Sequence, residues 1–326
     1  MHEEENEIKK KKRFKLFDSQ REGKGVSKEE ANLPPGMKKF FILYKRDFTR
    51  LLSVNIFMVL GNFPVLFLII ALSGLVSNDF VRPVNDAYGV FAGLATMEGF
   101  SAPLLALNGI LGSAGVGSAY TPLTYLFFAL GALTLFTFGC VNVGTTYILR
   151  NMVKGEPVFM WSDFWYAIRR NFKQGFFFGI LDLLLLILIP YNVMLLSQGG
   201  GFFNGILFWL NIIFGLVYLA MRAYIYIQMV TFELSVYKIL KNALIFSIVA
   251  VKRNFLAFVG KLLLVFITIA LAYSGVMLAL AIVLPLLLLF ANGAYMSTYA
   301  AYFKIKELMI DPYIKEQKEK AEAPTE

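Results

Sequence analysis

Asp182 is the side chain whose type and setting point most directly to chemistry. It is the one acid inside a long apolar run near 175–197. A carboxylate at bilayer depth costs roughly 2.5–3.5 kcal/mol on insertion scales, so such residues tend to have a role. Two readings stand: a proton or ion site, or an ion pair with the basic cluster at 169–173, two to three turns upstream. Asn55, Asn62, Asn142, Asn211, Gln228 and Asn292 also sit in or beside apolar runs. They are expected to hydrogen-bond between helices; a path for a polar solute is the other reading. Conventional catalysis is poorly served. His2 is the single histidine and Cys140 the single cysteine. One cysteine cannot form an intrachain disulfide or a Cys-based zinc site, and with the single histidine in the charged leader, Ser–His or Cys–His catalysis and histidine relays are not served. Cys140 reads as a small core residue. With no phosphate loop, dinucleotide glycine motif or paired carboxylates, we expect no enzyme, no catalytic residue, no cofactor and no metal.

A second set of residues recurs. Lys45-Arg46-Asp47-Phe48, Arg169-Arg170-Asn171-Phe172 and Lys252-Arg253-Asn254-Phe255 each precede an apolar run. Two adjacent cations hold a chain at the phosphate level, and an aromatic marks the hydrocarbon edge. Asn or Asp is expected to accept from the free N–H groups of the following helical turn. These elbows are anchors, or they form one docking surface for a partner or for lipid. The second is the most elaborate. Pro157 breaks the chain, and Ser162 is the expected cap of a helix beginning at Asp163. Phe164, Trp165, Ile168 and Phe172 fall on one side of that helix, with Arg169, Arg170 and Lys173 towards the other.

The elements that position these residues are membrane spans. The 326 residues are 58% hydrophobic and 16% charged, against roughly 45–50% and about 25% in soluble domains. A helical span needs roughly 20 apolar residues, and six stretches qualify: near 51–75, 122–149, 175–197, 203–229, 255–275 and 277–302. A short break at 272–275 divides the last two. Of 31 Lys and Arg residues, all but Arg82 fall on one side of a six-span layout with the N-terminus inside. Arg222 is counted there as a loop charge. The net charge of +9 is thereby explained without nucleic acid. The fold expected is all-α and polytopic, with six transmembrane helices as three parallel hairpins, each preceded by a cytoplasmic amphipathic elbow. Such parallel copies are not the inverted repeats of many transporters.

Residues 1–36 read as a flexible cytoplasmic leader with a basic run at 9–15; its segment 14–17 either touches anionic lipid or is a solvated topology signal. Residues 37–303 form the membrane domain, and 304–326 a cytoplasmic tail. An extracytoplasmic insertion, 76–121, separates the first two spans. Its stretches 88–94 and 104–111 are too short to span and suit interfacial or re-entrant helices. The insertion is a lid or outer docking site, or it has no dedicated role.

Several motifs resemble the YesL-like family of bacterial membrane proteins. They are the leader from Phe17 to Lys28, Thr121-Pro122-Leu123-Thr124-Tyr125, and the run from Phe138 through Asn142-Val143-Gly144-Thr145-Thr146-Tyr147, Arg150 and Gly155-Glu156-Pro157 to Trp161-Ser162-Asp163-Phe164-Trp165. The resemblance covers most of the chain and implies a multi-pass protein of the bacterial cell membrane, often encoded beside carbohydrate ABC importers. It implies no catalytic residues. The functions expected are therefore an accessory protein whose elbows contact importer permease subunits, or a small solute transporter or channel.

Overall fold

The computed structural model describes residues 33–83, 86, 89–90, 101–111, 114–273, 283 and 288–322. His2, the leader motif, the basic run 9–15 with segment 14–17, Glu98, most of the stretch 88–94, Ser274, Gly275 and the first half of the expected sixth span lie outside them.

Four helices among the described residues are long and apolar enough to cross a bilayer. They are Pro122–Lys154, formed by α4 (Pro122–Ala132) and α5 (Thr134–Lys154) joined through Leu133, then α6 (Met160–Gln198), α7 (Phe202–Thr231) and the Val251–Leu271 part of α9 (Val251–Tyr273). A fifth candidate is α1 (Met37–Gly61) taken with α2 (Pro64–Leu72). The chain is interrupted at Asn62-Phe63, and Pro64 starts the new helix, as proline does where no N–H partner is needed. Helix α8 (Val236–Val249) precedes α9, and α10 (Phe290–Ile305) continues through a π turn (Lys306–Ile310) into α11 (Asp311–Glu322).

The chain divides into two compact units, Leu60–Phe138 and the remainder. The first adds a small strand pair to the all-α fold that was expected. Its insertion carries β1 (Ser77–Pro83) paired antiparallel with β2 (Ala114–Tyr120), from Ser77↔Tyr120 to Pro83↔Ala114. Helix α3 (Ala102–Leu111) lies between them in sequence, where a short helix was expected. The Thr121-Pro122-Leu123-Thr124 motif explains the junction. Thr121 caps α4 in a capping box with Thr124, and Pro122 takes the first turn. Both hydroxyls also donate to Val76 O, at 2.6 and 2.7 Å. One short motif thus ends the strand pair and starts a span. Helix α2 packs on α4, where Gly131 lies against the Leu68 backbone and the Phe67 and Phe127 rings are 5.6 Å apart.

In the larger unit, glycine decides how closely helices approach. A Cβ on Gly139 of α5 would fall on the Gly175 carbonyl of α6 and within 2.6 Å of Gly179 Cα. Such small-residue crossings let backbones meet inside a bilayer, where no hydrophobic drive pushes helices together. Cys140, beside this crossing, is buried as a small core residue. Helix α5 ends at Gly155, which adopts φ 86°, while Gly155 N–H donates to Met152 O and Glu156 N–H to Asn151 O. This is a Schellman stop, with Pro157 just beyond.

The buried core gathers at the elbow end of the helices. Tyr224 through Val230 are all buried, as are Ile148, Leu149, Met152, Phe164, Ala167 and Ile239. By contrast, only 11% of the most apolar stretch of α6 and of α7 is buried, and 0% of that of α9. Side chains such as Ile187, Leu188, Leu210 and Phe266 are uncovered. A band this apolar and this exposed is matched by acyl chains.

Candidate functional site

The second elbow begins where α5 stops. Helix α6 starts at Met160, three residues earlier than expected; Phe159 holds the N-cap position, and Asp163 Oδ2, in the first turn, accepts from Phe159 N–H at 2.9 Å. Ser162 does not cap it. Phe164, Ala167 and Ile168 form the buried stripe. Phe57 stacks on Phe164 at 4.8 Å, and Phe164 fills the space that Gly144 leaves. Trp165 and Phe172 depart from the expected stripe: both are exposed, at 40% and 51%. Trp165, with Trp161 at 5.9 Å and the exposed Tyr166, forms an uncovered aromatic ridge one turn before Arg169.

The elbow's asparagine also works differently from the expectation. Asn171 is the one non-helical residue inside α6, at φ −112° and ψ 19°, and its Nδ2 donates back to Ala167 O at 3.0 Å. The third elbow shows the same sense of bonding. Helix α8 stops at Ala250, φ −99° and ψ 24°, and Asn254 Nδ2 donates to Ser247 O at 2.9 Å, while Tyr224 OH donates to Asn254 Oδ1 at 2.9 Å. Each asparagine therefore satisfies a carbonyl of the preceding helix, not the N–H groups of the next. Carbonyls at a break lose their intrahelical partner, and a side-chain amide can supply it. The breaks lie four residues apart in the aligned repeats.

The first elbow has no break, since α1 runs straight through Lys45–Phe48. Its Asp47 is fully buried between Arg46, 2.6 Å, and Arg50, 3.1 Å. Arg46 also donates to Met152 O at 2.9 Å, in the last turn of α5. Arg150 does the same for α7, reaching Val230 O at 2.7 Å while lying 4.5 Å from the Tyr147 ring. A guanidinium at a helix C-terminus satisfies orphan carbonyls and favours the dipole. Lys45 and Lys252 are exposed, and Arg253 lies 3.5 Å from Glu307.

Asp182 is fully buried. It does not pair with the 169–173 cluster. Its partners lie on α7: Tyr218 OH at 2.7 Å, Arg222 Nε at 2.5 Å and Tyr226 OH at 2.7 Å. Arg222, expected in a loop, sits inside α7 as the counter-ion. The spacing 218, 222, 226 places three polar heads on one face of an apolar helix, and that periodicity was the available signal. A carboxylate holding three donors is built to lock two helices. Asn211 and Asn55 bridge helices as expected, to Ile189 O at 3.1 Å and from Ala291 N at 2.7 Å. Gln228, also buried, has no hydrogen-bond partner for its amide among the described residues, and neither do Asn292 Oδ1 and Tyr295 OH.

A set of long apolar helices, an uncovered apolar band and a buried inter-helix ion pair define a multi-pass α-helical membrane protein. Residues 118–193 match the family model described as "Protein of unknown function, DUF624". The YesL-like resemblance is borne out over this segment. The segment holds Arg150, the second elbow and Asp182. No curated protein and no solved structure matches the chain.

Proposed function

We propose that this is a non-enzymatic accessory protein of a carbohydrate ABC importer, contacting the permease subunits through its second elbow. The observation that carries this is the exposed ridge of Trp161, Trp165 and Tyr166 one turn before Arg169. Trp, Tyr and Arg dominate binding energy at protein interfaces. The importer itself comes from the gene setting that the YesL-like resemblance implies. In this reading the chain has six spans in three parallel hairpins in the bacterial cell membrane, both ends cytoplasmic, with the elbows on the cytoplasmic side, as the placement of Lys and Arg supports. The test is co-expression with the importer and affinity purification in mild detergent. The permeases are expected to co-purify, and W161A/W165A to reduce their recovery at least tenfold; their absence from the wild-type preparation refutes the reading.

A second reading, a small solute transporter or channel, is favoured by Gln228, Asn292 and Tyr295. These lie on the adjacent helices α7 and α10, with buried polar atoms that have no hydrogen-bond partner among the described residues. Asp182 supports it less, since its three partners saturate it. Flux of candidate sugars and ions into proteoliposomes, lost in Gln228→Leu, is the expected result; no flux from wild type rejects it.

A further inference from the structure

Beyond the tryptophan ridge, the second elbow holds a separate feature. Residues 169–174 of α6 and 229–234, at the end of α7, line an open cavity of about 670 Å³. Arg169, Arg170 and Lys173 line it, against a single acid, Glu233. Glu233 is engaged by Arg170 at 3.0 Å. Arg169 and Lys173 have no acid within ion-pair distance among the described residues, so two positive charges at the cavity are uncompensated. Gln174 is held by Leu234 O at 3.0 Å, which fixes the floor.

The apolar side is equally specific. Phe172 lines the cavity and stacks on Phe176 at 6.0 Å. Phe172 is exposed at 51%, and Phe177, whose ring meets that of Phe176 at 5.4 Å, at 69%. From there α6 continues as bare hydrocarbon-facing helix. The cavity thus lies at the junction of a polar elbow and an apolar span, with cations on one side and an aromatic slide on the other. A soluble anion would use only the first; an amphiphile with an anionic head uses both. Guanidinium and ammonium groups are the usual phosphate partners, and basic pockets at membrane-facing helix ends suit anionic head groups.

We propose that this cavity binds the phosphate head group of an anionic phospholipid, its acyl chains lying along Phe172 and Phe177. The site needs no importer, so its failure and that of the docking reading are separable. The experiment uses the full chain in detergent carrying Trp209→Phe, which leaves Trp161 and Trp165, the latter one turn before Arg169, as reporters. Lipids with brominated chains quench them on binding. Phosphatidylglycerol is expected to bind on the order of tenfold more tightly than phosphatidylcholine. R169Q/K173Q abolishes that preference and R169K retains it. K315Q/K320Q, in the exposed tail, removes the same charge and leaves it unchanged. Equal quenching by both lipids in wild type overturns the proposal, as does a preference that survives R169Q/K173Q or is lost in the tail variant. Displacement of the lipid by soluble glycerophosphate at equal concentration also overturns it, in favour of a free-anion site.

Discussion

The buried cluster around Asp182 gives the sharpest test of how the helices are held. Asp182→Asn keeps the shape and removes the charge. Arg222, 23% exposed, then sits inside the bundle without the carboxylate that balances it. Removing one partner of a buried ion pair costs about 3–5 kcal/mol. The Tyr218 and Tyr226 hydroxyls, each 2.7 Å from the carboxylate, can still donate to the amide oxygen, but without charge assistance. Each such bond then falls from about 1.5–3 to about 0.5–1.5 kcal/mol. Because the Arg222 side chain is not fully enclosed by the bundle, the lower part of the range applies, and we expect a loss of about 3–4 kcal/mol. The converse is just as specific. D182L/Y218F/R222M/Y226F removes every polar head together, and apolar replacement of a buried ion cluster is often neutral or stabilising. That variant is expected to recover most of the loss. The assay is equilibrium unfolding by SDS in mixed micelles, followed by helicity. Wild-type stability in D182N, or a quadruple variant weaker than the single one, refutes the view of this cluster as a helix lock.

Other expectations follow from single contacts. G139A places a methyl group on the Gly175 carbonyl and is expected to cost at least about 1–3 kcal/mol in the same assay, as overpacking does. N254A removes the acceptor of Tyr224 OH and the donor to Ser247 O; a loss of about 1–3 kcal/mol is expected for the buried hydroxyl left unpaired. The Glu307 carboxyl is held below the usual glutamate range by its hydrogen bond from Lys304, aided by the charges of Lys304 and Arg253. Its folded-state value is depressed, so the tie is present above the unfolded value and lost as pH falls through the folded one. Proteolysis of the tail is expected to rise on acidification, and E307Q to show the elevated rate already at neutral pH. In a C140A background, cysteines at Gly155 and Lys241 are expected to label only from the cytoplasm; labelling from outside overturns the six-span layout.

Much of the local structure was legible because it depends on neighbours in sequence. The break at Pro157 and the long apolar helices each follow from residue type along the chain. The cation-cation-Asn-Phe elbows likewise mark where α6 and α9 begin their apolar lengths. The pairing of β1 with β2 was not legible. Strand pairing joins residues some 40 positions apart, and the sequence between them is too mild to show alternation.

The sequence by itself determined that this chain crosses a membrane and where its polar exceptions lie. Hydropathy and charge are sums over residues, and a bilayer responds to those sums. Only the tertiary structure decided what the exceptions do. Asp182 was visible as a costly charge, but its partner is Arg222 on the next helix, not the nearer cluster at 169–173. The reason is geometric: two to three turns along one helix separate groups that side chains cannot bridge, whereas adjacent helices bring residue 222 within 2.5 Å. The elbow asparagines were visible too, yet the direction of their hydrogen bonds depends on where each helix breaks. The cavity beside Arg169 exists only because the end of α7 folds against the bend in α6, a proximity that no spacing in the sequence encodes.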